Sequence, residues 1–267
     1  MSKKDLDMSF LDHLEVLRWH LIRSGIAIIS LSILAFICKD FIFDTVLLAP
    51  KDPNFFTYKF LCNISQSLGM GDALCIKESP FSLINITMSG QFSTHLMTSL
   101  YAGFILAFPY VFWEIWRFII PALKDNETKV TRGVVFFSSF LFLVGVLFGY
   151  YIIAPLSINF LGSYQVSQTV ANQISLTSFV TTVTTVSLAN GIIFELPILV
   201  YFLTKIGFLT PEFMRTYRRH AMVITLILSA IITPPDITSQ ILVSFPLIIL
   251  YEISIRISRA VIKRNNL

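Results

Sequence analysis

The chain has 267 residues, of which 55% are hydrophobic and 13% charged, and its net charge at pH 7 is +4. With a mean hydropathy of +0.74, this composition excludes an ordinary soluble domain, since such domains are about 25% charged. The apolar residues are gathered in long runs, which indicates an integral membrane protein.

Six apolar stretches are predicted to cross the membrane as α-helices. They are apolar on all sides, without the alternation of barrel strands. The chain is therefore predicted to be all-α, with one integral membrane domain over residues 1–267. The predicted spans are 21–38, 96–113, 134–153, 179–203, 221–232 and 237–255. The fifth is short, because about 12 helical residues reach only about 18 Å, against a hydrocarbon core of about 30 Å.

The longest loop, 41–95, follows the first span and contains Cys62 and Cys75. On an oxidising face of the membrane these thiols can form a disulfide that closes a loop of about 14 residues. Their spacing fits bonded and free thiols equally well, so both states stay open at this point.

Glu127 follows the second span, in a polar turn on an otherwise basic face. A carboxylate held there would suit a guanidinium partner, because the two groups can form paired hydrogen bonds. Composition alone favours the alternative, in which Glu127 is a solvated loop charge.

Glu195 lies inside the apolar fourth span, two positions before Pro197. Steps of about 100° per residue place Thr184 and Thr181 on the same helix face. Such a face at membrane depth predicts either an interhelical hydrogen bond from a protonated carboxyl or a polar site inside the bundle. Pro197 is expected to free the carbonyl of Ile193 and bend the helix.

The basic residues divide unevenly, with sixteen Lys and Arg on one predicted face and four on the other. Because cytoplasmic loops carry the excess of Lys and Arg, both termini are predicted to be cytoplasmic, in the cytoplasmic (inner) membrane. The basic side chains would meet anionic lipid headgroups, so nucleic acid is not expected as a partner.

The residues do not predict an enzyme. The four histidines are scattered, and the sequence shows no metal-ligand spacing, phosphate loop or serine elbow, so no metal or cofactor is expected. Two classes remain: a membrane receptor, or a proton-coupled small-solute transporter with Glu195 as its relay group. The transporter is less favoured, because neither an inverted repeat nor a second mid-membrane acid or base is visible.

Four stretches together resemble the TatC family of the twin-arginine protein translocase. They are "HLEVLRWHL" (13–21), "FPYVFWEIWRFIIPALKDNE" (108–127), "FELP" (194–197) and "ITPPDITSQ" (232–240). The resemblance covers nearly the whole chain. It implies a concave, glove-like bundle of six helices that binds signal peptides with two consecutive arginines, carried by proteins that cross the membrane folded.

The resemblance also implies partners and an energy source. The partners would be single-span TatA or TatB proteins, and transport would use the proton motive force. Self-association of the chain is a further expectation. Glu195 matches the family's intramembrane acidic residue and would face a polar group of a partner helix.

Carried over residue by residue, the resemblance makes Glu127 the main acceptor for the signal arginines. It places Leu17, Arg18 and Phe118 in the same binding surface. The family motif His-Leu-x-Glu-Leu-Arg has its glutamate where this chain has Val16, with Glu15 one position earlier. One helical step turns a side chain by about 100°, so whether Glu15 takes over that role stays open.

The family's outer-turn motif is matched near the last span. The matching residues are Pro234, Pro235, Asp236 and Gln240.

Overall fold

The computed structural model of the chain describes residues 10–72, 75–76, 81–119, 131–167, 172–233 and 237–265. These ranges are mostly helical, which confirms the predicted all-α fold. The helices are α1 Phe10–Ile37, α2 Phe56–Ser67, α3 Gly90–Ile119, α4 Thr131–Phe148, α5 Ala154–Ser163, α6 Leu176–Ile193, α7 Leu196–Lys205, α8 Pro211–Thr216, α9 Arg218–Ile232 and α10 Ile237–Asn265. Two strands, β1 Ser82–Ile84 and β2 Gln173–Ser175, and two π-helical segments, Phe41–Leu47 and Gly149–Ile153, accompany them.

Five helical segments among the described residues are long and apolar enough to cross a membrane, and each overlaps one predicted span. They are Leu14–Ile37, Gly90–Ile119, Gly133–Ser163, Leu176–Lys205 and Ser239–Lys263. The remaining predicted span, 221–232, is part of α9, which has 15 residues and is about 22 Å long. A crossing by α9 therefore stays a prediction.

The chain divides into two compact units. Unit 1 comprises Met1–Ile37 and Ser99–Phe140, and unit 2 comprises Cys38–Thr98 and Leu141–Leu267. Since α3 and α4 contribute residues to both units, the single membrane domain of the sequence analysis stays a prediction.

In unit 2, α4 and α6 approach each other closely at one point. Val186 of α6 and Phe194 just beyond it are buried in one apolar cluster with Val243 and Leu247 of α10. A Cβ atom at Gly145 would lie 2.6 Å from the carbonyl oxygen of Asn190, closer than any side chain tolerates. Glycine therefore lets the two backbones touch, as small residues do where membrane helices pack.

The loop predicted at 41–95 contains the helix α2, which the sequence analysis did not predict. A disulfide joins Cys62 of α2 to Cys75, whose Cα atoms are 4.4 Å apart. The other side of α2 contacts the helical segment that leads to α5, at a carbonyl that lacks its backbone hydrogen-bond donor. Pro155 has no N–H, so the carbonyl of Tyr151 lacks its helical donor, and the hydroxyl of Thr57 donates to it instead.

A second unpredicted element joins two outer segments of the chain. Strands β1 and β2 pair in parallel, with Ser82 opposite Gln173 and Ile84 opposite Ser175. Strands of three residues are too short to leave a period-2 pattern, which needs four to eight residues. This explains why the sequence did not predict them.

Candidate functional site

Four of the predicted peptide-binding residues lie in unit 1, on α1 and α3. Leu17 is half-buried, whereas Glu15 and Arg18 are exposed. Phe118 lies in the last turn of α3, and its ring centroid is 6.1 Å from that of His20 on α1. His20 therefore connects the helix that carries Leu17 and Arg18 with the helix that carries Phe118.

The centre of this connection is a buried carboxylate, Glu114 of α3, which is 1% exposed. His20 Nδ1 hydrogen-bonds to its Oε2 atom, and the Tyr110 hydroxyl donates to its Oε1 atom at 3.0 Å. The guanidinium of Arg23, itself half exposed, lies 3.9 Å from Oε2. Both carboxylate oxygens thus have a partner, which is the condition under which a buried charge is tolerated.

The sequence of α1 explains why His20 meets Glu114. Leu17, His20 and Ser24 are spaced three and four residues apart, which puts them on one helix face, and their burial increases along it until Ser24 is buried. An ionised carboxylate accepts hydrogen bonds and cannot donate them. A His20 that carries its proton on Nδ1 therefore suits Glu114, and the bond is charge-assisted.

Sequence reasoning missed both Glu114 and His20. The signal was present, because Glu114 is an acidic residue in an apolar and aromatic stretch, one position beyond the predicted span 96–113, a feature like that of Glu195. His20 has no metal-ligand spacing to the other histidines, and its carboxylate partner lies on another helix, which a local sequence pattern does not indicate. Among the described residues there is no group of three or more His, Cys, Asp or Glu that could hold a metal ion.

In unit 2, the predicted polar face around Glu195 is interrupted. The helix ends at Ile193 and a new one starts at Leu196, so Glu195 lies in the break, with ψ at −7°. The predicted bend at Pro197 is present as this break. A proline two residues after Glu195 cannot donate to the preceding turn, and the Glu195 carbonyl starts the next helix by accepting from Leu199 N at 3.0 Å.

The two threonines predicted beside Glu195 differ in environment. Thr181 is exposed, whereas Thr184 is buried. The hydroxyl of Thr184 lies 2.8 Å from the carbonyl oxygen of Val180 and 3.2 Å from that of Thr181, so its proton is used within its own helix. Glu195 is half-buried and lies between α6 and α7.

Several predicted residues lie outside the described ranges: Glu127, Pro234, Pro235 and Asp236. Gln240, from the same predicted outer-turn motif as the last three, is described. Its side-chain amide donates to the carbonyl oxygen of Leu226 at 3.3 Å, which ties the start of α10 to α9.

Both units contain long apolar helices with polar side chains buried among them. These features define the class of the protein, which is an all-α, multi-pass membrane protein. The sequence profile of the family described as "Sec-independent protein translocase protein (TatC)" matches residues 12–246. The chain belongs to this TatC family, and it is thus a component of a Sec-independent protein translocase.

Individual relatives agree with this assignment. The "Sec-independent protein translocase protein TatC" of Blattabacterium sp. subsp. Periplaneta americana (strain BPLAN) is 39% identical over 265 residues, covering 99% of this chain and 100% of that protein. The protein of the same name from Aquifex aeolicus (strain VF5) is 34% identical, and the match covers 93% of this chain and 93% of that protein. A solved structure, "Crystal Structure of Twin Arginine Translocase Receptor- TatC", superposes with a TM-score of 0.71 at 33% identity, covering 93% of this chain and 99% of that one.

Proposed function

We propose that this chain is the receptor subunit of the translocase and binds twin-arginine signal peptides. The observation that carries the proposal is the match to a solved structure described as the twin-arginine translocase receptor, which extends over 99% of that chain. The transporter alternative has no comparable support.

The proposed peptide site uses the two helices that meet in unit 1. Glu127, in the segment after α3, is the main acceptor, and Glu15, Leu17, Arg18 and Phe118 complete the surface. A carboxylate on a basic face selects arginine over lysine, because the planar guanidinium forms two parallel hydrogen bonds with it and an ammonium cannot. Selectivity thus comes from geometry more than from net charge.

The His20–Glu114 contact supports this proposal. It lies between α1 and α3, within one helical turn of Leu17, Arg18 and Phe118. A site that discriminates by the geometry of a planar group needs its side chains held in place by a rigid support. The buried contact gives that support without using any of the proposed binding residues.

Site-specific crosslinking tests the proposal. The purified chain in nanodiscs is presented with matched signal peptides carrying Arg-Arg or Lys-Lys, and wild type is compared with Glu127→Ala and Glu15→Ala. Glu212→Ala, which removes an exposed carboxylate from α8 in unit 2, is the control and is expected to behave as wild type. We expect crosslinks that are selective for the Arg-Arg peptide and that Glu127→Ala abolishes. The Glu15→Ala result decides whether Glu15 takes the role of the family glutamate found at the Val16 position. Equal crosslinks with both peptides would rule out the receptor proposal.

The same proposal assigns the partners and the membrane. Single-span TatA or TatB proteins dock at Glu195 and the exposed Thr181 of unit 2. Thr184, predicted for the same site, is buried and bonded within its own helix. Export of folded proteins uses the proton motive force. The chain lies in the cytoplasmic membrane, and both of its termini lie in the cytoplasm. This is the side of the membrane that carries the sixteen basic residues. The outer-turn residues Pro234, Pro235, Asp236 and Gln240 face the opposite side.

The partner site has its own test. An interhelical hydrogen bond in a membrane contributes about 1–2 kcal/mol or less, so Glu195→Ala is expected to weaken co-purification of the single-span partner by about thirtyfold at most. Signal-peptide crosslinking by the same variant should stay at the wild-type level. Equal loss of both activities would argue that Glu195 supports the fold of the chain and does not bind a partner.

A further inference from the structure

Helix α2 exposes two phenylalanines outside the membrane-crossing segments. Phe56 and Phe60 are 66% and 53% exposed, although the opposite side of the same helix is buried through Thr57, Tyr58 and Ser65. The helix is fixed from that buried side by the hydrogen bond from Thr57 and near its middle by the Cys62–Cys75 disulfide. The exposed rings are therefore presented by a rigid element.

The two rings form a continuous surface with a membrane-crossing segment. Phe56 and Phe60 stack with their centroids 6.0 Å apart, and Phe56 meets the ring of Tyr151 edge to face at 6.1 Å. Tyr151 is 39% exposed and belongs to the segment Gly133–Ser163. We call Phe56, Phe60 and Tyr151 the α2 aromatic patch.

The position of Tyr151 along its segment sets the depth of this patch. It lies about 18 residues after Gly133, which is about 27 Å of helix. A hydrocarbon core is about 30 Å thick, so a segment that enters the core near Gly133 reaches the opposite boundary near Tyr151. Tyr and Trp side chains gather at that boundary in membrane proteins.

The exposed polar side chains of α2 lie beside the two phenylalanines and further along the helix. Asn63 and Ser67, both exposed, project within about 20° of Phe56, two and three turns after it. Steps of about 100° per residue put Phe60 about 40° to one side of Phe56, and Lys59 and Gln66 about 60° and 80° to the other. Lys59 and Gln66 are both exposed. The exposed face of α2 is therefore aromatic at its start, beside Tyr151, and polar on one flank and towards its C-terminal end. Its aromatic start is the part that suits a membrane interface.

We propose that α2 is an interfacial helix, with Phe56 and Phe60 inserted at the boundary between headgroups and acyl chains and Lys59 at the lipid phosphates. The area favours lipid over a protein partner. Two phenyl side chains bury about 300–500 Å² together, whereas a stable protein interface needs about 800 Å² from each side. This proposal does not depend on the receptor function.

Lipid quenching of an introduced tryptophan tests the proposal. Full-length Phe60→Trp and Gln66→Trp are each reconstituted in nanodiscs made with brominated phospholipid, and the emission of wild type, from its three tryptophans, is subtracted. We expect brominated lipid to remove about half of the added emission of Phe60→Trp, because interfacial aromatic rings contact the upper acyl chains. Gln66→Trp should respond mainly to aqueous iodide.

Each alternative outcome is decisive. If Phe60→Trp and Gln66→Trp respond alike to lipid, or if Phe60→Trp responds only to iodide, then α2 faces water and the proposal is wrong. If Phe60→Trp is shielded from both quenchers, a protein surface covers the patch and the lipid assignment is wrong. Phe56→Trp, one turn earlier on the same flank, repeats the measurement should the first variant fold poorly.

Discussion

The buried polar side chains that join helices differ between the two units. In unit 1, Glu114 of α3 bonds to His20 of α1, 94 positions earlier in the chain. In unit 2, some buried hydroxyls pair between helices, Ser157 with Ser239 and Thr204 with Ser258. Others donate to carbonyls of their own helix, as those of Thr184 and Ser187 do, and α6 meets α4 through backbone contact at Gly145.

The difference shows that a polar residue inside a membrane span need not join helices. A hydroxyl can donate to a carbonyl one turn back and thereby satisfy itself. A buried carboxylate cannot, because it only accepts and its own helix offers no free N–H groups in the interior. A buried charge therefore joins helices in unit 1, whereas pairs of neutral hydroxyls and close backbone contact join them in unit 2.

The largest predicted effect is on the unit 1 contact. His20→Ala leaves the carboxylate of Glu114 buried without its main partner, and we expect a loss of about 3–5 kcal/mol in the free energy of unfolding. Arg23→Ala is the control, since Arg23 is half exposed and 3.9 Å away, and it should cost less than about 1 kcal/mol. Titration of denaturing detergent into mixed micelles measures both. Similar losses for the two variants would contradict a special role for His20.

A smaller loss is expected when the backbone contact of unit 2 is filled. The added methyl of Gly145→Ala would lie 2.6 Å from the Asn190 carbonyl oxygen and 2.8 Å from Phe194. Because that oxygen belongs to a helix backbone, α4 and α6 must separate, at a cost of about 1–3 kcal/mol.

Gly133→Ala, in the same helix α4, is the matched control for Gly145→Ala. No atom lies within 4 Å of the position that its Cβ would occupy. Alanine favours helix over glycine by about 0.5–1 kcal/mol, so this variant should be slightly stabilised. The same mixed-micelle titration compares the two, and a stabilised Gly145→Ala would show that close approach is not required.

The sequence predicted the structural features that depend on long apolar runs. It did not predict those that depend on contacts between residues far apart in the chain. The all-α class and five of the six spans follow from hydropathy, because about 20 apolar residues have few alternatives. The Glu195 break was predicted as a bend, since Pro197 acts locally. Three contacts join residues more than 85 positions apart: His20 with Glu114, β1 with β2, and Thr57 of α2 with Tyr151. No local sequence pattern predicts contacts between such distant residues.

The hydroxyl of Thr57 offers a direct comparison with that of Thr184. Thr57 donates to a carbonyl that Pro155 has deprived of its helical donor, whereas Thr184 donates to carbonyls of its own regular helix. Thr57→Val should therefore cost about 1–2 kcal/mol, because the Tyr151 carbonyl loses the donor that replaces its helical one. Thr184→Val, of the same shape and also buried, should cost less than about 0.5 kcal/mol. Equal costs, measured in the same detergent titration, would contradict the role assigned to Thr57.

The smallest expected effect is on the pH dependence of stability, through Tyr58 of α2. Its hydroxyl lies 2.9 Å from the carbonyl oxygen of Pro50 and 3.0 Å from that of Pro155. Burial raises the pKa of Tyr58 above its ordinary value. The unfolded chain therefore loses this proton near pH 10, whereas the folded chain keeps it, and stability must fall as the pH rises above about 10.

Comparison of wild type with Tyr58→Phe isolates this contribution. Between about pH 9 and about pH 11, wild type should lose about 1 kcal/mol more than the variant, since each unit of pH above the unfolded pKa costs up to about 1.4 kcal/mol. Both proteins contain Cys38 and the same disulfide, so alkaline thiol chemistry affects them equally. Parallel pH profiles would mean that the Tyr58 hydroxyl ionises in the folded protein, and the packing of α2 against Pro155 would then have to be looser than its hydrogen bonds indicate.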